Sequence, residues 1–282
     1  MAGPVPCSVM STSYRPRTAA TGVRAATTLA LWAAAWRGGA SADGVLDALG
    51  RTGIRAGVRA GSTDAAERSG LPGPGLASAA AVDLLGLLRR GGPPALVLPV
   101  PGDLRGLPPG GDVVLPALDA GAVVVLPDAG VALVPVDGHW RALECSPAHA
   151  TLTLAEATWL VDEAVTEATR ALASADLASS RGNPREAVRR AILDRAVDTP
   201  AGMPSGASSL LAKATTLDAL LTVAAGHETA AVTSAQLATV DDALAPLRSA
   251  VREARRTAVA TTVAALDAAA GTPGEDRVTP RR

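Results

Sequence analysis

The sequence contains no phenylalanine and one tyrosine, although it has four tryptophans. Leu, Val and Ala must therefore fill the core, and because they bury less apolar area than aromatic side chains, helices and sheet have to pack closely. Lysine is almost absent too, since Lys213 stands alone among 26 basic residues. No glycine-rich loop precedes that lysine, which excludes a phosphate-binding loop of the Walker type.

Neither sign of charge dominates, because 26 basic residues face 27 acidic ones. This balance disfavours an overall nucleic-acid binder, which needs a strong positive field to neutralise phosphates. Cys7 and Cys145 are too few and too far apart for a disulfide framework or a four-thiolate zinc site, and reduced thiols in the cytoplasm are the simplest interpretation. We therefore expect a cytoplasmic protein without a metal or a cofactor.

Long apolar runs are missing as well. The apolar stretch 25–36 is shorter than the ~20 residues that cross a bilayer, so we expect no membrane association. A secretory signal peptide is the alternative, but Arg37 interrupts the run before the small residues of a cleavage site. The spacing of Leu29, Trp32 and Trp36 by three and four residues instead predicts a helix with these side chains facing inward.

The length of 282 residues indicates about two domains. The sequence predicts a disordered leader at residues 1–22 and a disordered tail at residues 272–282. Between them, residues 23–148 predict a mixed α/β (α+β) domain that ends in an antiparallel β-meander. Residues 149–271 predict an all-α helical bundle.

The strongest local signal in the first domain is Asp137-Gly138 between two apolar runs, which is typical of a type I′ hairpin. Pro135 lacks an amide donor and predicts an unpaired side in the strand before this turn. Patterns of period two and buried apolar runs predict strands at 54–60, 95–100, 122–126, 131–136 and 139–145. Helical spacing indicates a helix at 76–90, and residues 113–120, which a proline interrupts, are expected to form a short helix or a connection.

Beyond residue 150 every periodic segment is helical. Predicted helices cover 154–175, 184–197 and 207–225, and a fourth helix begins after Thr233. Pro184 stands at a first helical position, where proline is favoured. Pro246 is expected to kink or split the fourth helix, because it breaks the backbone hydrogen-bond ladder.

Two loops after the predicted strands carry groups suited to a polar or anionic ligand. If the strands at 54–60 and 95–100 run parallel, Ser62, Thr63, Asp103 and Arg105 meet outside their carboxyl ends, where such sheets bind ligands. The competing interpretation makes Asp64 and Glu67 a carboxylate pair at a helix N-terminus and the Asp103 and Arg105 loop a solvated one.

Arg248, Arg252, Arg255 and Arg256 form a predicted basic face on the last helix. We interpret this face as a contact for a protein partner or for a second copy of the chain. Nucleic acid is a disfavoured partner for this face, because no aromatic residues lie between the arginines to stack on bases.

Common catalytic signatures are absent from the sequence, and we expect no catalytic residue. Cys145 lies between His139 and His149, so a Cys–His nucleophilic pair is conceivable. The alternative is a small, buried thiol at a strand end. His227 is expected to stabilise a helix carboxyl end rather than to act as a base.

The segments LALWAAAWR at residues 29–37 and LPVPGDLRGLP at residues 98–108 resemble an uncharacterised group of actinobacterial proteins. The resemblance implies a bacterial, intracellular protein and brings no activity with it. We expect a non-catalytic cytoplasmic binding or adaptor protein that acts through its helical half, as a homo-oligomer or with a protein partner. The alternative is a small-molecule enzyme or sensor with its ligand at the two loops.

Overall fold

The structure, a computed structural model, describes residues 16–55, 57–108, 110–145, 151–174, 184–226 and 234–271. Its first half comprises α1 (Pro16–Arg37), α2 (Ala42–Gly50), β1 (Val58–Ala60), α3 (Thr63–Ser69), α4 (Ala81–Arg90), β2 (Ala95–Val97), α5 (Val114–Ala120), β3 (Val123–Leu126), β4 (Val131–Val136) and β5 (His139–Glu144). Its second half comprises α6 (Leu154–Ser174), α7 (Pro184–Arg195), α8 (Ser205–Gly226) and α9 (Ser234–Gly271). The predicted fold class is thereby confirmed.

The five strands form one sheet in the order β1-β5-β4-β3-β2. The predicted meander β3-β4-β5 is confirmed, and Asp137 (φ 50°) with Gly138 (φ 77°) makes the turn between β4 and β5. β3 pairs with β4 at residues 131–133 only, so the side of β4 that faces β3 is unpaired at Pro135, as its missing amide predicts.

The direction of β2 differs from the prediction. β1 is parallel to β5, while β5-β4, β4-β3 and β3-β2 are all antiparallel, so β2 runs opposite to β1. The expectation that these two strands share one carboxyl end is wrong. The reason is that an apolar run records burial and not direction, so its pattern fits either orientation.

Helix α1 lies against one face of the sheet and begins at Pro16, so the predicted leader is wrong for residues 16–22, which are helical. Leu29 is fully buried as predicted, and Trp32 and Trp36 are half-buried. The indole Nε1 of Trp32 donates to the Asp198 carbonyl at 2.9 Å, and that of Trp36 donates to the Leu85 carbonyl at 3.0 Å. These bonds fix α1 to the loop before α8 and to α4.

Alternate residues of the central strands face opposite layers. Val124 and Leu133 contribute to a large core with α1, α4, α6, α8 and α9, whereas Val125 and Ala132 pack with α5 on the other face. The large core is continuous from the sheet to the second half. The helical half therefore shares its core with the α/β half.

Helix α9 packs against α6, α8, α1 and β2. It is 38 residues long and contains Pro246 without interruption, so the expectation of a split at this proline is wrong. Within the described ranges no helix is long and apolar enough to cross a membrane. The predicted leader at 1–15, the tail at 272–282 and the domain boundary at 148–149 lie outside the described residues.

Candidate functional site

Ser62 and Thr63 stand at the beginning of α3. The Ser62 hydroxyl accepts a hydrogen bond from the Ala65 amide at 3.1 Å and thereby caps this helix. Because β1 and β2 run in opposite directions, this cap lies at the opposite end of the sheet from the loop of Asp103 and Arg105. The hypothesis of one ligand site built from all four residues is wrong.

Asp103 lies in the loop after β2, where its carboxylate binds two arginines. Arg105 donates from Nε and Nη2 at 2.8 and 2.7 Å, which is the two-pronged geometry of a strong ion pair. Arg252 of α9 donates to the same carboxylate at 3.1 Å. The hydrogen bonds from Arg105, and a weaker contribution from Arg252, hold the pKa of Asp103 well below its usual range. The carboxylate is therefore ionised at neutral pH.

The four arginines on α9 do not form the exposed basic face that was predicted. Arg255 and Arg256 are buried, at 5% and 8% exposure, while Arg248 and Arg252 are partly covered. Burial follows from the position of α9, which is surrounded by α6, α8, α1 and β2. The prediction of an exposed contact surface built on these four side chains is wrong.

The partly covered arginines line a cleft between the two halves of the protein, which we call the interdomain cleft. Its volume is about 490 Å³, within the range of small-molecule sites. Helix α1 and the segment after β2 supply one wall, and helices α7, α8 and α9 supply the other. Its lining consists of Ala19, Ala20, Val23, Leu98, Val100, Gly121, Arg195, Asp218, Leu221, Thr222, Ala225, Arg248, Val251, Arg252 and Arg255.

One aspartate serves two of the cleft arginines. The Oδ2 atom of Asp218 lies 3.2 Å from Nε of Arg195 and 3.5 Å from Nη2 of Arg255. Burial lowers the pKa of Arg255, and Asp218 partly opposes this effect. The Nε atom of Arg255 is buried without a hydrogen-bond partner among the described residues. Because a guanidinium stays protonated at neutral pH, the cleft holds more positive than negative charge.

Gly22 determines how closely α1 approaches the end of α5 beside this cleft. A Cβ atom at position 22 would lie 2.1 Å from the carbonyl oxygen of Ala120. Only a residue without a side chain permits this approach. The α1 wall of the cleft, with Ala19 and Val23, therefore depends on this glycine.

Asp218 and Arg195 were missed at the sequence level. No local pattern predicts them, since they come together only when α7 packs against α8. The burial of the α9 arginines did leave a signal. Arg255 is followed four and eight residues later by Val259 and Val263, which are both buried, and residues at this spacing share a helix face.

Cys145 is unsuited to act as a nucleophile at neutral pH. It is 1% exposed, and burial raises the pKa of its thiol to about 11, whereas thiol chemistry requires the thiolate. His139 begins β5, with Nδ1 3.3 Å from the Asp137 carbonyl. His149 and His227, the other histidines considered, lie outside the described residues.

Another concavity, of about 580 Å³, runs along α6. Its lining belongs to this one helix: Leu154, Ala155, Thr158, Trp159 and Asp162. A concavity on one helix is open to solvent, and Asp162 is already paired with Lys213. The interdomain cleft is therefore the better candidate for a ligand site.

Comparison with known proteins identifies relatives along most of the chain. Residues 26–157 match the N-terminal domain of the Rv1486c-like proteins, and residues 155–256 match their C-terminal domain. The uncharacterized protein MT1533 of Mycobacterium tuberculosis is 35% identical over 273 residues, which cover 82% of this chain and 94% of that protein. The uncharacterized protein ML1804 of Mycobacterium leprae is 29% identical over 281 residues, with the same coverage.

No solved structure matches this chain. The relatives confirm the resemblance to an uncharacterised actinobacterial group that the segments at 29–37 and 98–108 indicated. With both domain matches and a 35% identical relative over 82% of its length, the chain belongs to the Rv1486c-like family.

Proposed function

We propose that this protein is a non-catalytic binding protein whose interdomain cleft holds an anionic small molecule with an apolar portion. The observation that carries the proposal is the lining of the cleft. It combines four arginines and one aspartate with apolar side chains from both halves of the protein. Guanidinium groups bind carboxylates and phosphates, and they keep their protons at neutral pH. Such groups favour holding an anion over exchanging protons with it.

The position of the cleft supports a sensing role for this binding. Arg252 belongs to the helical half, whereas Val100 and Val23 belong to the α/β half. A ligand that contacts both walls stabilises their contact by its differential affinity for the closed arrangement. The proposal includes a cytoplasmic location, which is supported by the interpretation of the cysteines as reduced thiols.

The experiment is a fluorescence titration with 1-anilinonaphthalene-8-sulfonate, an anion with an apolar body. We expect saturable one-site binding to the native wild-type protein. Ala225→Glu places a carboxylate on the exposed end of α8 at the cleft and is expected to weaken binding by about tenfold, because it repels the anion.

Ala224→Glu is the matched control. Ala224 is the neighbouring residue on α8, equally exposed and outside the cleft lining. Both substitutions add one carboxylate near the same helix end, so they disturb the helix similarly. Equal affinities of wild type, Ala225→Glu and Ala224→Glu, or the absence of saturable binding, would contradict the proposal.

A contact between two copies of the chain is a second proposal, and a specific observation favours it. Helix α6 exposes Trp159 at 66%, and Leu152 just before this helix is 36% exposed. Tryptophan is enriched at protein interfaces, where its large ring becomes buried. Sedimentation equilibrium is expected to show a dimer that Trp159→Glu dissociates. A wild-type protein that stays monomeric at high concentration would exclude it.

A further inference from the structure

The charge of the interdomain cleft is unbalanced at two separate positions. The first position is Asp218, whose single carboxylate lies within 3.5 Å of both Arg195 and Arg255. Only 6% of the Arg255 side chain is exposed, and the side chain of Arg195 is 11% exposed. One negative charge thus neutralises two positive charges that water scarcely reaches, which leaves one positive charge in excess.

The second position is Asp103, at the other end of the arginine row. Its carboxylate binds Arg252, which lines the cleft, and Arg105, which lies outside it. Again one negative charge serves two positive charges. The side chains of Arg252 and Asp103 are similarly covered, at 23% and 22% exposure.

The remaining arginines of this region are paired one to one. Arg248 binds Asp241 at 2.8 Å, and Arg256 binds Glu253 at 2.7 Å. The ion pairs of the described residues around the cleft therefore leave two positive charges unmatched. Both excess charges involve an arginine that lines the cleft, Arg255 in one case and Arg252 in the other.

A phosphate monoester carries nearly two negative charges at neutral pH and three acceptor oxygens. It therefore matches the excess better than a carboxylate or a sulfate ester, each of which carries one charge. The Nε donor of Arg255 has no partner among the described residues, and a guanidinium binds phosphate with two parallel donors. Val23, Val100 and Leu221 supply an apolar surface for the rest of the ligand.

We infer that the ligand of the interdomain cleft is a phosphate monoester with an apolar body. The inference rests on the proposed function, because it names the ligand class of the same site. A soluble ester and a lipid headgroup share this chemistry, and the experiment separates these two sources.

The test is isothermal titration calorimetry with phenyl phosphate and phenyl sulfate, which share the ring and differ in charge. At about pH 7.5 the phosphate ester is a dianion, and we expect it to bind about tenfold more tightly than the sulfate. At about pH 5, below the second pKa of the phosphate, this preference is expected to fall to about twofold. The arginines of the cleft do not titrate in this range.

Arg248→Gln removes one positive charge from the cleft at a side chain that is 34% exposed, so the fold tolerates the change. We expect it to reduce the preference for phosphate over sulfate by about threefold, because the charge excess falls by one. Arg189→Gln is the control, since Arg189 is 71% exposed on α7 and lies outside the cleft lining. It is expected to leave the preference unchanged.

Sedimentation with vesicles identifies the source of the ester. Binding to phosphatidic acid vesicles that Ala225→Glu abolishes supports a lipid monoester, and binding of phenyl phosphate alone supports a soluble one. Equal affinity for phenyl phosphate and phenyl sulfate overturns the inference. Measurable binding to vesicles of phosphatidylglycerol, a monoanionic diester, that is as strong as binding to phosphatidic acid vesicles also overturns it. If both phenyl esters displace the naphthalene sulfonate equally, the proposed function still stands. If the naphthalene sulfonate itself does not bind saturably, the proposed function fails.

Discussion

Asp103 and Arg252 are separated by 149 residues in sequence, and their side chains form a hydrogen bond of 3.1 Å. The bond joins the loop after β2 to the middle of α9. Because Asp103 is also held by Arg105, a residue of its own loop positions the acceptor for α9. The position of α9 against the α/β half is therefore sensitive to the charge of one carboxylate.

We expect Asp103→Asn to lower the free energy of unfolding by about 1 kcal/mol at neutral pH, since the pair is partly screened by solvent. Because the pKa of Asp103 is lowered in the folded state, its contribution is fully present above the unfolded value of about 3.9. It is lost as the pH falls through the folded value. Urea unfolding of both proteins at several pH values checks this. A difference that stays constant far below about pH 4 would contradict it.

Asp218→Ala is expected to lower the free energy of unfolding by about 2 to 4 kcal/mol, because it leaves two scarcely exposed guanidinium groups without their shared partner. Adding Arg255→Met is expected to recover part of this loss, since an apolar side chain suits the buried site. Asp194→Ala, at an exposed carboxylate on α7, serves as the control with a change under about 0.5 kcal/mol. Urea unfolding measures all three. A double variant less stable than Asp218→Ala would disprove the explanation.

Gly22→Ala is expected to destabilise the protein by about 1 to 3 kcal/mol through overpacking. The new methyl group would lie 2.1 Å from the backbone oxygen of Ala120. The energetic cost of this clash exceeds any gain in helix propensity. Gly50→Ala at the end of α2 is the comparison, because a Cβ there meets nothing within 4 Å. It is expected to be neutral or to stabilise by up to about 1 kcal/mol. Thermal unfolding of both variants distinguishes a steric effect from a general effect of glycine replacement.

Cys145 is expected to resist alkylation in the native protein. Burial raises its pKa to about 11, so the thiolate is scarce at neutral pH and the sulfur is covered. In a Cys7→Ser background, iodoacetamide is expected to label Cys145 at least about a hundredfold more slowly in buffer than in concentrated urea. Mass spectrometry measures the labelling. Rapid labelling of the native protein would contradict this expectation and support the nucleophile hypothesis.

Local signals in the sequence predicted local structure well. Asp137-Gly138 forms the predicted turn because both residues adopt positive φ, and α7 begins at Pro184 as its favoured position indicates. Helix α2 was missed, although Ser41 caps it by accepting a bond from the Gly44 amide. Its nine residues are too short for the apolar period to stand out.

Relationships between distant segments were predicted poorly. The direction of β2 depends on pairing with β3, which a buried apolar run does not record. Arg252 and Asp103 were assigned to separate sites, yet they touch. Arg255 was assigned to an exposed contact face because arginine is usually exposed. Its burial depends on the number of neighbours that surround α9, which is a property of the whole fold.

The packing of α1 against α9 joins two helices that are synthesised at different times. Arg37 at the end of α1 binds Asp267 near the end of α9, 230 residues later. A ribosome releases α1 before α9, so the face of α1 that meets α9 stays without its partner until α9 has been synthesised. Closure of the shared core, and with it the assembly of the arginine-lined cleft, therefore follows the synthesis of α9.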